Sequence, residues 1–239
     1  GDIDSTVSVN ADAGFSIVSY SGAANAANDN SNNGGSYWTI GHGLSQAPEV
    51  IMVKTRSSAA AWYMGHQGLS STPWQSGSHL VLNTTAANSN DANILWGNTA
   101  PTSSVFTVGG WNVINRANST YIAYCFHSVD GYSKVGTYTG NGNADGAFIY
   151  TGFRPAFVIC KDTTGNGWQI IDSTRSPFNV TSERLLANLS NAEQTNNTPY
   201  DFTSNGFKLR TTDGSFNTNG TTYIYLAFAE TPFKYSNAR

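Results

Sequence analysis

Apolar and polar positions alternate along most of this chain in short runs, the period-two pattern of strands that bury one face. Residues 14–22 (GFSIVSYSG) set Phe15, Ile17 and Ser19 against Ser16, Val18 and Tyr20. Further strands are predicted at 37–44 (YWTIGHGL), 49–54 (EVIMVK), 61–64, 79–83 and 105–108, divided by Ser, Thr, Asn and Gly punctuation. Residues 121–126 (YIAYCF) are apolar on both faces, as a strand buried on both sides would be. Residues 1–13 are polar and carry no period, so they read as a lead-in arm, and 23–35 read as a loop. Helical periodicity is almost absent. Residues 182–191 (SERLLANLSN) fit either a helical turn or a short strand at Leu185-Leu186 equivalent to residues 80–82.

The same order of patterns then returns. Gly131-Tyr132-Ser133-Lys134-Val135 matches residues 14–18, and Tyr138-Thr139-Gly140 matches Tyr20-Ser21-Gly22 after a one-residue insertion. PAFVICK (155–161) matches PEVIMVK (48–54) without a gap, Trp168 answers Trp62, Pro177-Phe178 answers Pro73-Trp74, and Phe207 answers Phe106. Asn217 precedes Tyr223 by the same spacing as Asn115 precedes Tyr121, and YIYLAF (223–228) repeats YIAYCF. A period near one hundred residues fits a small β-sandwich rather than a solenoid repeat or propeller blade. The predicted fold is all-β: two internally repeated, jelly-roll-like β-sandwich lobes at 14–129 and 130–239 behind an arm at 1–13. The joint at 128–130 is short, which favours adjacent lobes packed with pseudo-twofold symmetry.

Composition supports a β-rich extracellular or virion protein. Only 11% of the 239 residues are charged and 13% are aromatic, with Asn, Ser, Thr and Gly making up most of the polar remainder. A net charge of −3 with scattered basic residues argues against a nucleic-acid partner, whose phosphates need clustered positive charge. No apolar run is long enough for a membrane-spanning helix, and no signal peptide is visible at Gly1, so the chain reads as part of something longer. Cys125 and Cys160 lie in apolar runs and lack zinc-site spacing. They are small buried hydrophobes or, alternatively, a disulfide pair.

Candidate chemistry is sparse. His42, His66, His79 and His127 sit in no metal or catalytic spacing and are expected to bond locally or face solvent. No G-x-S-x-G is present, and no carboxylate pair is marked for glycoside hydrolysis. The chain is therefore expected to be no enzyme, with no catalytic residue, no metal and no cofactor. Lys54 and Lys161, matched between copies, read as solvent-facing strand terminators. Matched aromatics (Trp62 with Trp168, Trp74 with Phe178) are assigned to packing. Trp96 and Trp111 have no aromatic counterpart and lie in Asn- and Gly-rich segments, so they are the candidate ligand-binding residues, suited to sugar stacking or a subunit interface. The alternative is that each caps the end of its own sandwich.

Together GFSIVSYSG, GHGLSQAPEVIMVK, YIAYCF, GYSKVGTYTGNG, GFRPAFVICK, SNGFKLR and YIYLAFAETPFK resemble a duplicated domain of marine tailed-bacteriophage structural proteins of tail-fibre type, over about residues 14–234. The resemblance implies a virion-surface protein, a tail-fibre or appendage domain that recognises host-surface glycan or protein. Its partners would be other virion subunits, with a homo-oligomer, a trimer, as the expected assembly. A capsid decoration or head-fibre protein and a polysaccharide depolymerase are the alternatives. The resemblance transfers no catalytic residue and no ligand site.

Overall fold

The computed structural model describes residues 1–26, 36–72, 74, 77–90, 95–195 and 199–232. Most of the loop expected at 23–35 (27–35), Pro73 of the Pro73-Trp74 match, and Phe233 and Lys234 at the end of the motif set lie outside the described residues. The chain is all-β and divides into two units. One holds Gly1–Leu82 and Asn88–His127; the other runs from Ser128 onward and includes the segment Asn83–Ala87.

The first unit contains β1 (Ser5–Asn10), β2 (Phe15–Ser21), β3 (Trp38–Gly41), β4 (Val50–Thr55), β5 (Tyr63–His66), β6 (Ser78–Val81), β7 (Ser89–Asn90), β8 (Val105–Val108) and β9 (Thr120–Phe126). Its large sheet runs β1-β2-β9-β4-β5-β6-β7, and β3 pairs with β8 in a second sheet. The second unit contains β10 (Ser133–Thr139), β11 (Phe148–Tyr150), β12 (Pro155–Asp162), β13 (Gln169–Asp172), β14 (Leu185–Leu186), β15 (Tyr200–Thr203), β16 (Gly206–Leu209), α1 (Gly214–Asn217) and β17 (Thr222–Ala229). Its sheets run β10-β17-β12-β13-β14 and β11-β16-β15. The order β2-β9-β4-β5-β6 thus recurs as β10-β17-β12-β13-β14, and β3-β8 recurs as β11-β16. In each unit the core draws on both sheets: Val18, Tyr20, Ile51 and Val53 meet Ile40, Phe106 and Val108, and Tyr138, Val158 and Cys160 meet Ile149, Phe202 and Phe207. Each fully buried large apolar side chain contributes about 1.5–3 kcal/mol.

Register fixes the equivalence residue by residue. Val50 faces Phe126 and Lys54 faces Ile122, as Phe157 faces Phe228 and Lys161 faces Ile224. Leu80 and Val81 pair with Met64 and Tyr63, as Leu185 and Leu186 pair with Ile170 and Gln169, so the strand alternative for Leu185-Leu186 is the one the chain adopts. The only α-helix among the described residues, α1, was not expected; Asp213 caps it by accepting from the Ser215 amide at 2.8 Å. Two further expectations need correction. The arm at 1–13 contains strand β1, whose side chains are largely exposed, with Val7 alone among its apolar residues packed against the core. The one-residue insertion does not fall inside β10: Tyr138 faces Tyr223 as Tyr20 faces Tyr121, which puts Val135 opposite Leu226 as Ile17 lies opposite Tyr124. Gly136 then takes the place of Val18, and a Cβ there would come within 2.6 Å of the Tyr225 hydroxyl. The small-large pair Gly136 and Tyr225 replaces Val18 and Ala123.

A shared polar corner closes both units. Tyr20 stacks on Tyr121 at 5.1 Å and Tyr138 on Tyr223 at 4.8 Å. The Tyr121 hydroxyl donates to Asn112 O at 2.7 Å and accepts from the Arg116 amide at 2.9 Å, while the Tyr223 hydroxyl donates to Gly214 O at 2.6 Å and accepts from the Thr218 amide at 2.8 Å. Asn115 Oδ1 accepts from the Ala23 amide at 2.9 Å and its Nδ2 donates to Gly109 O at 3.0 Å. Asn217 repeats this with the Asn141 amide at 2.8 Å and Thr211 O at 2.8 Å. The glycine after the opening strand is demanded by close approach: a Cβ on Gly22 would lie 2.1 Å from Arg116 O, and one on Gly140 2.3 Å from Thr218 O.

Candidate functional site

The two tryptophans singled out from the sequence are placed differently from that expectation. Trp96 is only 1% exposed; its Nε1 donates to Ser78 O at 3.2 Å and its ring meets Trp74 edge to face at 5.4 Å. Burial leaves it no open face for a ligand, so it is a core residue. Trp111 is half-buried and lies edge-on to Tyr63 at 5.1 Å and His79 at 5.6 Å. The structure does not bring Trp96 and Trp111 into one exposed platform. Trp111 packs against the first unit's core, and Gly97, Gly109 and Gly110 beside the two tryptophans are buried.

The histidines are all buried. His42 bonds Thr102 O at 3.1 Å and accepts from the Leu44 amide, His66 accepts from the Gly68 amide at 2.9 Å, and His79 bonds Gly77 O at 3.1 Å. Burial pushes the His42 imidazole below its ordinary value, against the bond to Thr102. Among the described residues no three His, Cys, Asp or Glu gather to hold a metal ion. Cys125 and Cys160 are free and buried in different cores, and burial pushes each thiol up to about 12, so neither is a thiolate at neutral pH.

Lys161 corrects the reading of the matched lysines as solvent-facing. Its side chain is 0% exposed; the ammonium donates to Thr85 O at 3.3 Å and to Asn166 O, and lies 3.6 Å from Asp162 Oδ1. Burial depresses the Lys161 pKa, opposed by the Asp162 carboxylate. Burial alone would raise Asp162, but hydrogen bonds from Thr164, Asn166 and Gly165 outweigh it and hold the carboxyl below its ordinary range. A sealed ammonium with three oxygen neighbours is an anchor for the segment Asn83–Ala87 rather than a nucleophile open to substrate. Lys54, its counterpart, is half-buried and bonds the Thr55 carbonyl at 2.9 Å.

The exposed aromatics are elsewhere. On β11, Ile149 points into the core while Phe148 and Tyr150 are 47% and 65% exposed. Alternation along β11, β16 and β15 puts Phe148, Lys208 and Asp201 on one rung of the outer face and Tyr150, Gly206 and Thr203 on the next. Each ring has a glycine beside it: a Cβ on Gly206 would sit 2.9 Å from the Phe148 ring, and one on Gly152, whose φ is +86°, 3.7 Å from the Tyr150 hydroxyl. Lys208 Nζ reaches Asp145 Oδ1 at 2.9 Å, and Arg210 Nε reaches Asp201 Oδ2 at 3.3 Å. At the opposite edge, Asn179 bonds both the carbonyl and the amide of Phe202 at 2.9 Å, fixing the segment that carries Phe178. Phe178 is 81% exposed, which overturns its assignment to packing; its match Trp74 is buried.

Sequence comparison would have found this face had it been applied to every aromatic. Ile149 and Phe207 stand where Ile40 and Phe106 stand in the first unit, so Phe148 and Tyr150 occupy the places of Thr39 and Gly41. A second, weaker candidate is a polar groove in the first unit between Asp4, Arg56, Ser19 and Thr120, which has no exposed ring.

Fold and site together define an all-β protein in which one strand order recurs in two units and an aromatic sheet face stands open among the described residues. The chain matches, over residues 1–232, the family described as a domain of unknown function (DUF7483), and it belongs to that family. No curated protein and no solved structure matches it.

Proposed function

We propose that this chain is a non-enzymatic structural domain of a tailed-phage virion, carried on a tail fibre or related appendage, where it recognises the host surface. The observation that carries the recognition role is the outer face of β11-β16-β15, where Phe148 and Tyr150 are held open on a rigid sheet. Exposed apolar groups rimmed by polar ones mark interaction sites, and aromatic anchors with adaptable polar neighbours recur in recognition surfaces. The motif resemblance supports the virion assignment, with a surface location and other virion subunits, including copies of this chain, as neighbours.

The test is to locate the protein on purified particles with gold-labelled antibody and to measure binding of the fluorescent protein to host cells. Label on the tail and saturable cell binding are expected. Label confined to the head would replace this reading with a capsid decoration or head-fibre protein. Release of oligosaccharide from host capsule or lipopolysaccharide would replace it with a depolymerase.

A further inference from the structure

We infer that the outer face of the β11-β16-β15 sheet binds a neutral glycan, with pyranose rings laid on Phe148 and Tyr150. This rests on the proposed recognition role and names the ligand class for the same face. A pyranose has an apolar C–H face and a rim of hydroxyls, so it needs flat aromatic surface with donors and acceptors beside it. Phe148 and Tyr150 supply the surface: alternate residues of a strand stand about 6.5–7 Å apart, and each exposed ring has a glycine, Gly206 or Gly152, beside it rather than a side chain. Thr203, Lys208 and Asp201 supply the polar groups on the same two rungs.

Charge selects the class of glycan. The face carries two cations and two anions, and they are paired: Lys208 with Asp145, and Arg210 with Asp201. Lys208, by hydrogen bond and charge, holds Asp145 below the ordinary carboxylate range, so that pair stays ionised at neutral pH. With each cation held by an anion the face carries no net charge to draw a polyanion or a polycation. A neutral polyol meets fixed dipoles it can bridge without breaking either pair. A protein partner fits less well: stable interfaces need about 1,000 Å² or more and their centres are depleted in charged residues, whereas here the ion pairs lie beside the rings and β11 offers an edge of three residues.

The experiment is affinity electrophoresis and titration calorimetry of the whole chain against soluble neutral glucans, mannans and galactans, with alginate and heparin as acidic counterparts. At least one neutral polysaccharide is expected to retard the protein. Phe148→Ser with Tyr150→Ser should weaken that binding about tenfold or more with an unchanged melting temperature, while Tyr150→Phe, which keeps the ring, should retain it. Retardation only by the acidic polymers, retardation undiminished in the double variant, or no retardation by any polymer would overturn the inference. Host-cell binding by the same variants separates the two readings. Cell binding that is lost in the double variant and destroyed by protease treatment of the cells leaves the recognition role standing with a protein ligand. Absence of any cell binding removes the recognition role as well.

Discussion

Strands β3 and β11 hold equivalent places in the two units, yet among the described residues a segment pairs with the edge of one and none with the edge of the other. The Ile3 amide donates to Thr39 O at 3.0 Å, Ile3 bridges Ile40 in parallel, and the Asp2 carboxylate accepts from the Thr39 amide at 2.9 Å and the Thr39 hydroxyl at 2.7 Å. The arm is available because residues precede β1 in the first unit. In the second, only residues 127–132 separate β9 from β10, and among the described residues no segment pairs with the free edge of β11. An edge strand is an aggregation liability, usually blunted with Lys, Pro or a covering segment. Here the uncovered edge carries Phe148 and Tyr150 where the covered one carries Thr39 and Gly41. What the units share builds the fold; what they do not share is the open face.

The strongest test of that division lies at the buried ion pair of Lys161 and Asp162, which among the described residues has no counterpart in the first unit. Asp162 stands opposite Tyr223 where Thr55 stands opposite Tyr121. Asp162→Ala leaves the Lys161 ammonium buried without its carboxylate and should cost about 3–5 kcal/mol, whereas Thr55→Ala, which loses one long bond to Thr120 O, should cost about 1 kcal/mol. Urea unfolding of both variants measures this, and equal losses would dissolve the asymmetry. The same pair sets two pH limbs. Because Lys161 is depressed in the folded state, the folded protein releases its proton before the unfolded chain does at the ordinary value of 10.5, so stability climbs with pH across that window. Because Asp162 is held below its ordinary 3.8, its contribution is complete above that pH and is lost as pH falls through the lowered value. Both limbs should vanish from the stability profile of Lys161→Met combined with Asp162→Leu.

Much of the shared architecture was legible because the repeat exposes what packing demands. PEVIMVK and PAFVICK match without a gap since residues 50–54 and 157–161 lie beside the closing strand in the same register, after a bulge between Pro155 and Phe157 in the second. The constant spacing of Asn115 to Tyr121 and of Asn217 to Tyr223 reflects a hydrogen-bonded corner that tolerates no insertion. Strand β1 was hidden because an exposed edge strand selects no apolar period, and the offset in β10 because Gly136 and Tyr225 exchange volume with Val18 and Ala123. The site was harder to read. Trp96 and Phe178 each sit among polar neighbours in sequence, yet one is sealed and the other bare, since burial is decided by distant segments such as Trp74 for the first and Phe202 for the second.

A medium effect tests the sameness of the units rather than their difference. Asn115→Ala would leave the Ala23 amide and Gly109 O without their side-chain partner, and Asn217→Ala the Asn141 amide, Thr211 O and Asn143 O. A backbone group stripped of its partner costs about 1–3 kcal/mol where it is buried. Hydrogen-exchange mass spectrometry should show faster exchange in residues 20–23 and 109–116 for the first variant and in 138–143 and 211–218 for the second, with a measurable loss in each. A large loss in one unit and none in the other would mean that the corner is structural in only one of them.

The smallest effect concerns the arm. Asp2→Asn removes the negative charge that the Thr39 hydroxyl and amide stabilise, and those two bonds, the side-chain one foremost, hold the Asp2 carboxyl below its ordinary 3.8. The arm's hold on β3 is therefore complete above that pH and loosens as pH drops through the lowered value. Exchange of the Thr39 amide should accelerate over this acid window in the parent chain and be fast already at neutral pH in the variant. Strand β11, which has no arm, should show no corresponding step at Phe148, Ile149 or Tyr150. A step there would mean that the edge of β11 is paired as that of β3 is, and the contrast between the two strands would fail.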